Sequence, residues 1–260
     1  MGPGLCLGRE VTVAEGFALL GVGVLAGIVS TVASLASVVS YPVLLALGLP
    51  PLSANVTNTV ALLFTGVGAT AGSRPELAGQ WRRIRRLGVV AALGGAAGAA
   101  LLLVTPARTF EDVAPFLIGG ASLVLLLQER PGRRARRAGG EHSALLLAAL
   151  FCVAIYVGYF GAAAGILLLA VLTPILNESM ARTNAIKNVV SGLANAIAAV
   201  GFALFGPVRW AFALPLAAGF LIGGWTGPSL VRRLPGRALR IFIAICGLAL
   251  AAKLAISAYR

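Results

Sequence analysis

Long apolar runs separated by short charged clusters dominate the chain. No Asp, Glu, Lys or Arg occurs from Gly16 to Ser73. Further uncharged runs are Leu87–Ala107, Val113–Gln128, Ser143–Asn177, Asn188–Val208 and Trp210–Val231, and a last apolar run, Ala238–Tyr259, has Lys253 inside it. About 20 apolar residues cross a bilayer as a helix, so Leu87–Ala107, Asn188–Val208 and Trp210–Val231 predict one crossing each. Val113–Gln128 makes another by borrowing flanking residues. Gly48-Leu-Pro-Pro51 reads as a turn and divides the first run into Gly16–Leu47 and Leu52–Gly72. Gly16–Leu47 and Ser143–Asn177 are too long for one crossing and short for two. The latter would be a helix of about 52 Å, against a hydrocarbon core of about 30 Å. Small residues from Gly27 to Ser37 and from Gly158 to Gly165 permit a break in each.

Composition puts these elements in a membrane. Of 260 residues, 59% are apolar and 11% charged, less than half of the roughly 25% charged residues of soluble domains. That excludes a disordered chain and argues against a water-soluble enzyme. The net charge of +13 resembles that of a nucleic-acid binder, but the arginines sit in short loops between apolar runs, the pattern of the positive-inside rule. Nucleic acid is therefore not expected as a partner; the bilayer is.

Loop charge sets the topology. The clusters Arg74–Arg86, Arg130–Arg137 and Arg232–Arg240 hold 14 of the 21 basic residues and are expected in the cytoplasm. The loops around Arg108 and Arg209 hold one each and are expected outside. All loops obey the rule only if Ser143–Asn177 enters and leaves on the same side, either as a re-entrant pair of half-helices or as two thin spans. If the first long segment behaves likewise, the N-terminus is external. Met1 to Glu10 lacks a basic n-region and a cleavage site, so no removed signal is expected.

The two halves resemble each other at an offset of about 130. Gly27 pairs with Gly158, Pro42 with Pro174, and Asn58 with Asn188. The expected fold is an all-α membrane domain over 1–260. It comprises repeat 1 (12–128), a basic cytoplasmic linker (129–141) and repeat 2 (142–259). Each repeat is a broken or re-entrant helix pair plus three crossings. An odd number of crossings inverts the second repeat, the plan of many secondary transporters.

The blocks SYPVLLALGLPP from Ser40, ANVTNT from Ala54, RPELAGQ from Arg74, GYFGAAAG from Gly158 and NAIKN from Asn184 resemble the sulfite exporter (TauE/SafE-like) family of bacterial permeases. The likeness runs from about Val11 to Ser257. It implies a multi-pass plasma-membrane carrier for small sulfur oxyanions or organosulfonates. One departure is VASLAS, Val32 to Ser37, where the family often has a glycine-rich stretch.

Polar residues inside the membrane are costly and so face a cavity or another helix. Ser34 and Ser37, with Ser30 and Thr31, lie in the first break. Asn55, Thr57 and Asn58 open the helix after Pro51; Asn184, Lys187 and Asn188 lie at the matching place in the second half. With Gly161 and Gly165 at the second break, they form the expected substrate site: a partly cationic pocket for a small anion, in which Lys187 supplies the charge. The competing reading of Ser and Thr is packing and back-bonding to the preceding turn; that of Lys187 is a snorkelling interfacial residue. Gly94, Gly95 and Gly98 read as a close helix contact. Trp81 and Trp210 read as interface anchors, and Trp225 as helix packing. Cys6, Cys152 and Cys246 form neither a disulfide framework nor a metal site and are expected as buried small hydrophobes.

The one Asp, Asp112, and the one His, His142, lie in loops, and no P-loop occurs. Neither an intramembrane aspartyl protease, a zinc protease nor ATP binding has its residues here, and no cofactor is expected. The reading is a permease working by alternating access. An anion channel and a non-transporting scaffold subunit are the alternatives, and a homo-oligomer is left open.

Overall fold

The structure, a computed structural model, describes residues 11–33, 36–127, 144–162, 164–176 and 178–231. Ser34, the arginine clusters at 130–137 and 232–240, the run 238–259, His142, Cys6 and Cys246 lie outside the described residues.

Ten helices and no strand are found among those residues: α1 (Val13–Ala33), α2 (Ala36–Ala46), α3 (Pro51–Gly72), α4 (Arg74–Leu77), α5 (Trp81–Val104), α6 (Ala107–Leu127), α7 (Ala144–Tyr159), α8 (Ala164–Leu176), α9 (Met180–Phe205) and α10 (Trp210–Val231). Helix is the expected outcome in lipid, where each backbone N–H and C=O needs a partner within its own segment. Among the described residues, four helical stretches are long and apolar enough to cross a membrane: Val13–Thr31, Trp81–Val104, Ala181–Phe205 and Trp210–Ser229. The 22-residue α3 is as long but less apolar, because Asn55, Thr57, Asn58 and Thr59 are buried on it.

The turn expected at Gly48 closes α2. The Gly48 N–H donates to the Leu45 carbonyl and the Leu49 N–H to the Leu44 carbonyl, the paired bonds of a Schellman ending. Gly48 has φ +87°, which favours glycine, and Pro51 then starts α3 with its fixed φ.

Each long apolar segment folds as two arms: α1 of 21 residues with α2 of 11, and α7 of 16 with α8 of 13. The short arms are about 16 and 20 Å long, too short to cross alone. The first break lies further along than Gly27, which sits inside α1; the second falls between Tyr159 and Ala164. Glycine at 27 serves packing instead: a Cβ there would lie 3.0 Å from the Gly223 Cα.

Glycine contacts also fix the helix directions. Gly23 meets Gly219 and Gly27 meets Gly223, so α1 and α10 are parallel. Gly68 meets Trp225 and Gly72 meets Pro228, so α3 runs with α10. Gly94 meets Ala154 and Gly98 meets Tyr159, so α5 and α7 are parallel. Gly66 meets Gly192 whereas Val56 meets Gly206, so α3 and α9 are antiparallel. Gly95 meets Ala194 and Ala99 meets Gly201, so α5 and α9 are parallel; α7 and α9 therefore run the same way, and the α7–α8 pair begins and ends at one end of the molecule. That end also carries Arg82, Arg83, Arg85 and Arg86, since Arg83 pairs with Glu178 at 2.8 Å. It is called the basic end below, and the opposite one the far end. The α1–α2 pair begins and ends at the far end.

The packing exchanges between halves. α1 packs on α10 as α7 packs on α5; α3 packs on α10 as α9 packs on α5; α3 and α9 meet at the centre. The Gly94, Gly95 and Gly98 stripe faces α7 and α9, and Gly223, Gly224 and Gly227 face α1 and α3 in the matching places. A Cβ on Gly98 would strike the Ile155 carbonyl, with the Tyr159 nitrogen 2.8 Å away. Overpacking of this kind costs about 1–3 kcal/mol. Gly98→Ala should therefore lower the melting temperature of the purified protein, and Gly120→Ala, which meets nothing within 4 Å, should not.

Two sequence expectations are corrected. Cys152 is exposed on the outer surface of α7, where in a bilayer an apolar thiol meets lipid at no cost. The Trp225 side chain is 64% exposed; its backbone, not its ring, packs against Gly68 and Gly72.

Candidate functional site

A partly open cavity of about 50 Å³ lies between the second half of α3 and the first half of α9. Roughly 10–15 Å³ suffices for one water, so a few waters or one small anion fit. Both breaks reach it: Ser30, Ala36 and Ser37 from the first, Gly161 and Gly165 from the second. Lys187, Asn188, Ser191 and Asn195 line it from α9, and Thr65 from α3.

Five of the ten expected site residues thus meet in one place: Ser37, Gly161, Gly165, Lys187 and Asn188. Gly161 has φ +72°, and its N–H donates back to the Tyr156 carbonyl. α7 therefore ends just before this residue, at Tyr159, and the chain turns into α8 beside the cavity. Lys187 is 1% exposed. Its depth on α9 answers the snorkelling alternative, because a snorkelling lysine carries its ammonium into water. Two polar atoms on the wall, the Asn188 Nδ2 and the Thr65 Oγ1, are buried with no hydrogen-bond partner among the described residues. Such groups cost about 1–3 kcal/mol each when unmet and need an explanation such as a ligand or ordered water.

The other expected residues face protein groups. Asn58 is fully buried; its Nδ2 donates to the Ser37 hydroxyl at 3.2 Å, and the Ser40 hydroxyl donates to its Oδ1. The Thr57 hydroxyl accepts the Arg209 backbone N–H at 3.0 Å. The Asn55 Nδ2 donates to the Tyr159 carbonyl at 3.0 Å, and the Asn184 Nδ2 to the Thr31 carbonyl at 3.0 Å. Thr31 itself back-bonds to the Ile28 carbonyl, as the bland reading of these hydroxyls has it.

Thr65, Ser191 and Asn195 were not singled out from sequence. Ser191 and Asn195 continue the Asn184, Lys187 and Asn188 face at spacings of three and four, so helical periodicity could have found them. Single hydroxyls such as Thr65 carry no such signal.

The two ends are closed by different chemistry. At the far end Tyr41, Phe110 and Phe160, all buried, pack as an aromatic plug, with ring centroids 5.6 Å apart for Tyr41–Phe160 and 6.0 Å for Phe110–Phe160. At the basic end Glu178 bridges Arg83 and, at 3.3 Å, Arg182, with Gln80 within hydrogen-bond reach. The Arg83 guanidinium, with Arg182 beside it, holds the Glu178 carboxyl below the usual carboxylate range. Among the described residues no group of three or more His, Cys, Asp or Glu is placed to hold a metal ion.

Relatives share nearly the whole chain. "Probable membrane transporter protein YfcA" of Escherichia coli K12 is 27% identical over 90% of this chain and 87% of its own. A "Probable membrane transporter protein" of Haemophilus influenzae is 23% identical over 90% and 91%. Another, ORF9 of Sinorhizobium sp, is 22% identical over 88% of each. No solved structure matches. The family model described as sulfite exporter TauE/SafE matches residues 19–254. With that match along its length and helices of membrane-crossing length and composition, the chain belongs to the sulfite exporter TauE/SafE family and is a multi-pass transporter of the cell membrane.

Proposed function

We propose that this transporter carries a small anion, a sulfur oxyanion or organosulfonate, bound at the α3–α9 cavity and released to alternate sides. One observation carries the reading: a buried lysine and an unpaired amide donor, Lys187 and Asn188, line a partly open cavity at the meeting of the two halves. An anion leaving water needs a counter-charge or strong donors to offset its desolvation, and Lys187 provides the first while Asn188, Ser37, Ser191 and Asn195 provide the second. The family description, sulfite exporter, points to the same substrate class, and the relatives' names support transport.

The opposed directions of matching helices support an inverted pair of repeats, 12–128 and 142–259, with the basic end in the cytoplasm. The aromatic plug favours a carrier over a channel, because a channel needs a path open at both ends at once. Binding is tested by thermal shift of the purified protein with sulfite, sulfate, thiosulfate and short sulfonates. At a hundredfold excess over Kd, a bound ligand stabilises by about 2.7 kcal/mol. The expected result is a concentration-dependent rise in melting temperature with sulfite or a sulfonate, absent in Lys187→Gln. No rise with any of these anions would sink the substrate assignment.

A further inference from the structure

Asn55 and Asn184 make a matched pair of bonds that anion binding does not use. Each is the fifth residue of its helix, α3 or α9. Each donates its amide at 3.0 Å to a backbone carbonyl at the end of the long arm of the other half, Tyr159 of α7 or Thr31 of α1. Each therefore fastens the central helix of one half to the break of the other. Because α3 and α9 are antiparallel, the Asn55 bond lies toward the far end and the Asn184 bond toward the basic end.

We propose that Asn55 and Asn184 are positioning residues that set which side of the transporter opens: Asn55 holds the far side shut and Asn184 the basic side. The inference rests on the alternating-access reading. Both carbonyls stand in the last turn of their helices, where carbonyls look outside the helix for partners. Breaking either bond in a dry interior strands an amide and a carbonyl. The bond therefore opens readily only when water reaches it, that is, when its own side opens. Opening and hydration then support each other, which makes each bond a two-state element rather than a soft contact.

Their surroundings differ. The Asn55 end is backed by the aromatic plug and by the satisfied Asn58–Ser37–Ser40 cluster. At the Asn184 end, the Asn184 Oδ1 and the Thr183 Oγ1 are buried without a partner among the described residues. The Glu178 pairs with Arg83 and Arg182 that close the basic end are part-exposed and contribute little in water, so the far side is the better latched and this conformation lies closer to opening at the basic end.

The test uses the full chain with Cys6, Cys152 and Cys246 replaced and a single reporter, Ser191→Cys, in the cavity wall. Labelling by a membrane-impermeant thiol reagent is timed on intact cells and on inside-out vesicles, without substrate. Asn55→Ala should speed labelling from the outside about fivefold and Asn184→Ala from the cytoplasmic side about fivefold, the effect of one ordinary hydrogen bond on a two-state equilibrium. Asn→Gln, which keeps a donor on a longer arm, should restore part of each change, and Asn→Asp, which loses the donor, should not. A purely structural role would speed labelling from both sides or neither. Either outcome, equal changes in the two variants, or no labelling in any of them overturns the proposal. The assay contains no anion, so a negative thermal-shift panel beside a side-specific labelling result would remove the substrate assignment alone.

Discussion

In a flux assay normalised to membrane abundance, Lys187→Gln raises the apparent substrate constant and Lys187→Glu eliminates transport. The physical basis is the burial of the ammonium beside the cavity. A hydrogen bond to a charged group contributes about 1.5–3 kcal/mol, so its loss shifts the constant roughly ten- to a hundredfold. A carboxylate at the same position adds repulsion to that loss and leaves an unpaired buried charge. Lys187→Arg restores the charge but not the fit. The planar fork is larger and directs its donors differently, and the cavity is only about 50 Å³. Arg is therefore expected between wild type and Gln. Unchanged kinetics in Lys187→Gln would leave Asn188, Asn195 and the serines as the anion ligands.

The second large effect separates two residues that the sequence places as equivalents. Asn58→Leu keeps the branched outline, with bulkier methyls, but strips both bonds of a fully buried amide, to Ser37 and from Ser40. The Ser40 hydroxyl keeps its bond to the Ala36 carbonyl, but the Ser37 hydroxyl loses its Asn58 donor, and a stranded buried partner costs about 1–3 kcal/mol. The variant should lose several degrees of melting temperature as well as transport. Asn188→Leu removes an amide whose Nδ2 has no partner among the described residues, so the resting protein should keep its melting temperature or gain slightly. Its transport should still fall, because the donor facing the cavity is gone. Melting curves and flux on the two variants decide the point. Equal destabilisation by both would mean that Asn188 is a structural amide, and normal flux in Asn188→Leu would remove it from the site.

Much of this molecule follows from one-dimensional information. The apolar runs mark the long helices because a span must be about 20 residues of mostly apolar chain. Trp210–Val231 matches α10 at both ends, and Leu52–Gly72 misses α3 by one residue. The Gly48 turn was readable because positive φ and proline chemistry are local. The return of Ser143–Asn177 to its own side was readable from arginine counts, since the positive-inside rule acts on whole loops. The resemblance to the sulfite exporter family was carried by short blocks around the breaks, and the matched residues cover most of the chain.

Which polar residue faces which partner was decided by tertiary structure alone. Asn55, Asn58, Asn184 and Asn188 look alike along the chain. Yet one pair fastens the breaks of opposite halves, one amide knits Ser37 to Ser40, and one is left facing a cavity. An amide can satisfy itself with any carbonyl or hydroxyl within reach, and reach is set by how the helices cross. The aromatic plug depends on the same crossing, joining Tyr41, Phe110 and Phe160 from three distant segments. So does the outward face of Cys152 and Trp225, because every face of a lipid-embedded helix is apolar and hydrophobicity no longer tells inside from outside. Composition and the apolar runs sufficed for membrane and long helices, which are set by transfer into lipid one segment at a time. The site is set by contacts between segments, and these exist only once the helices have packed.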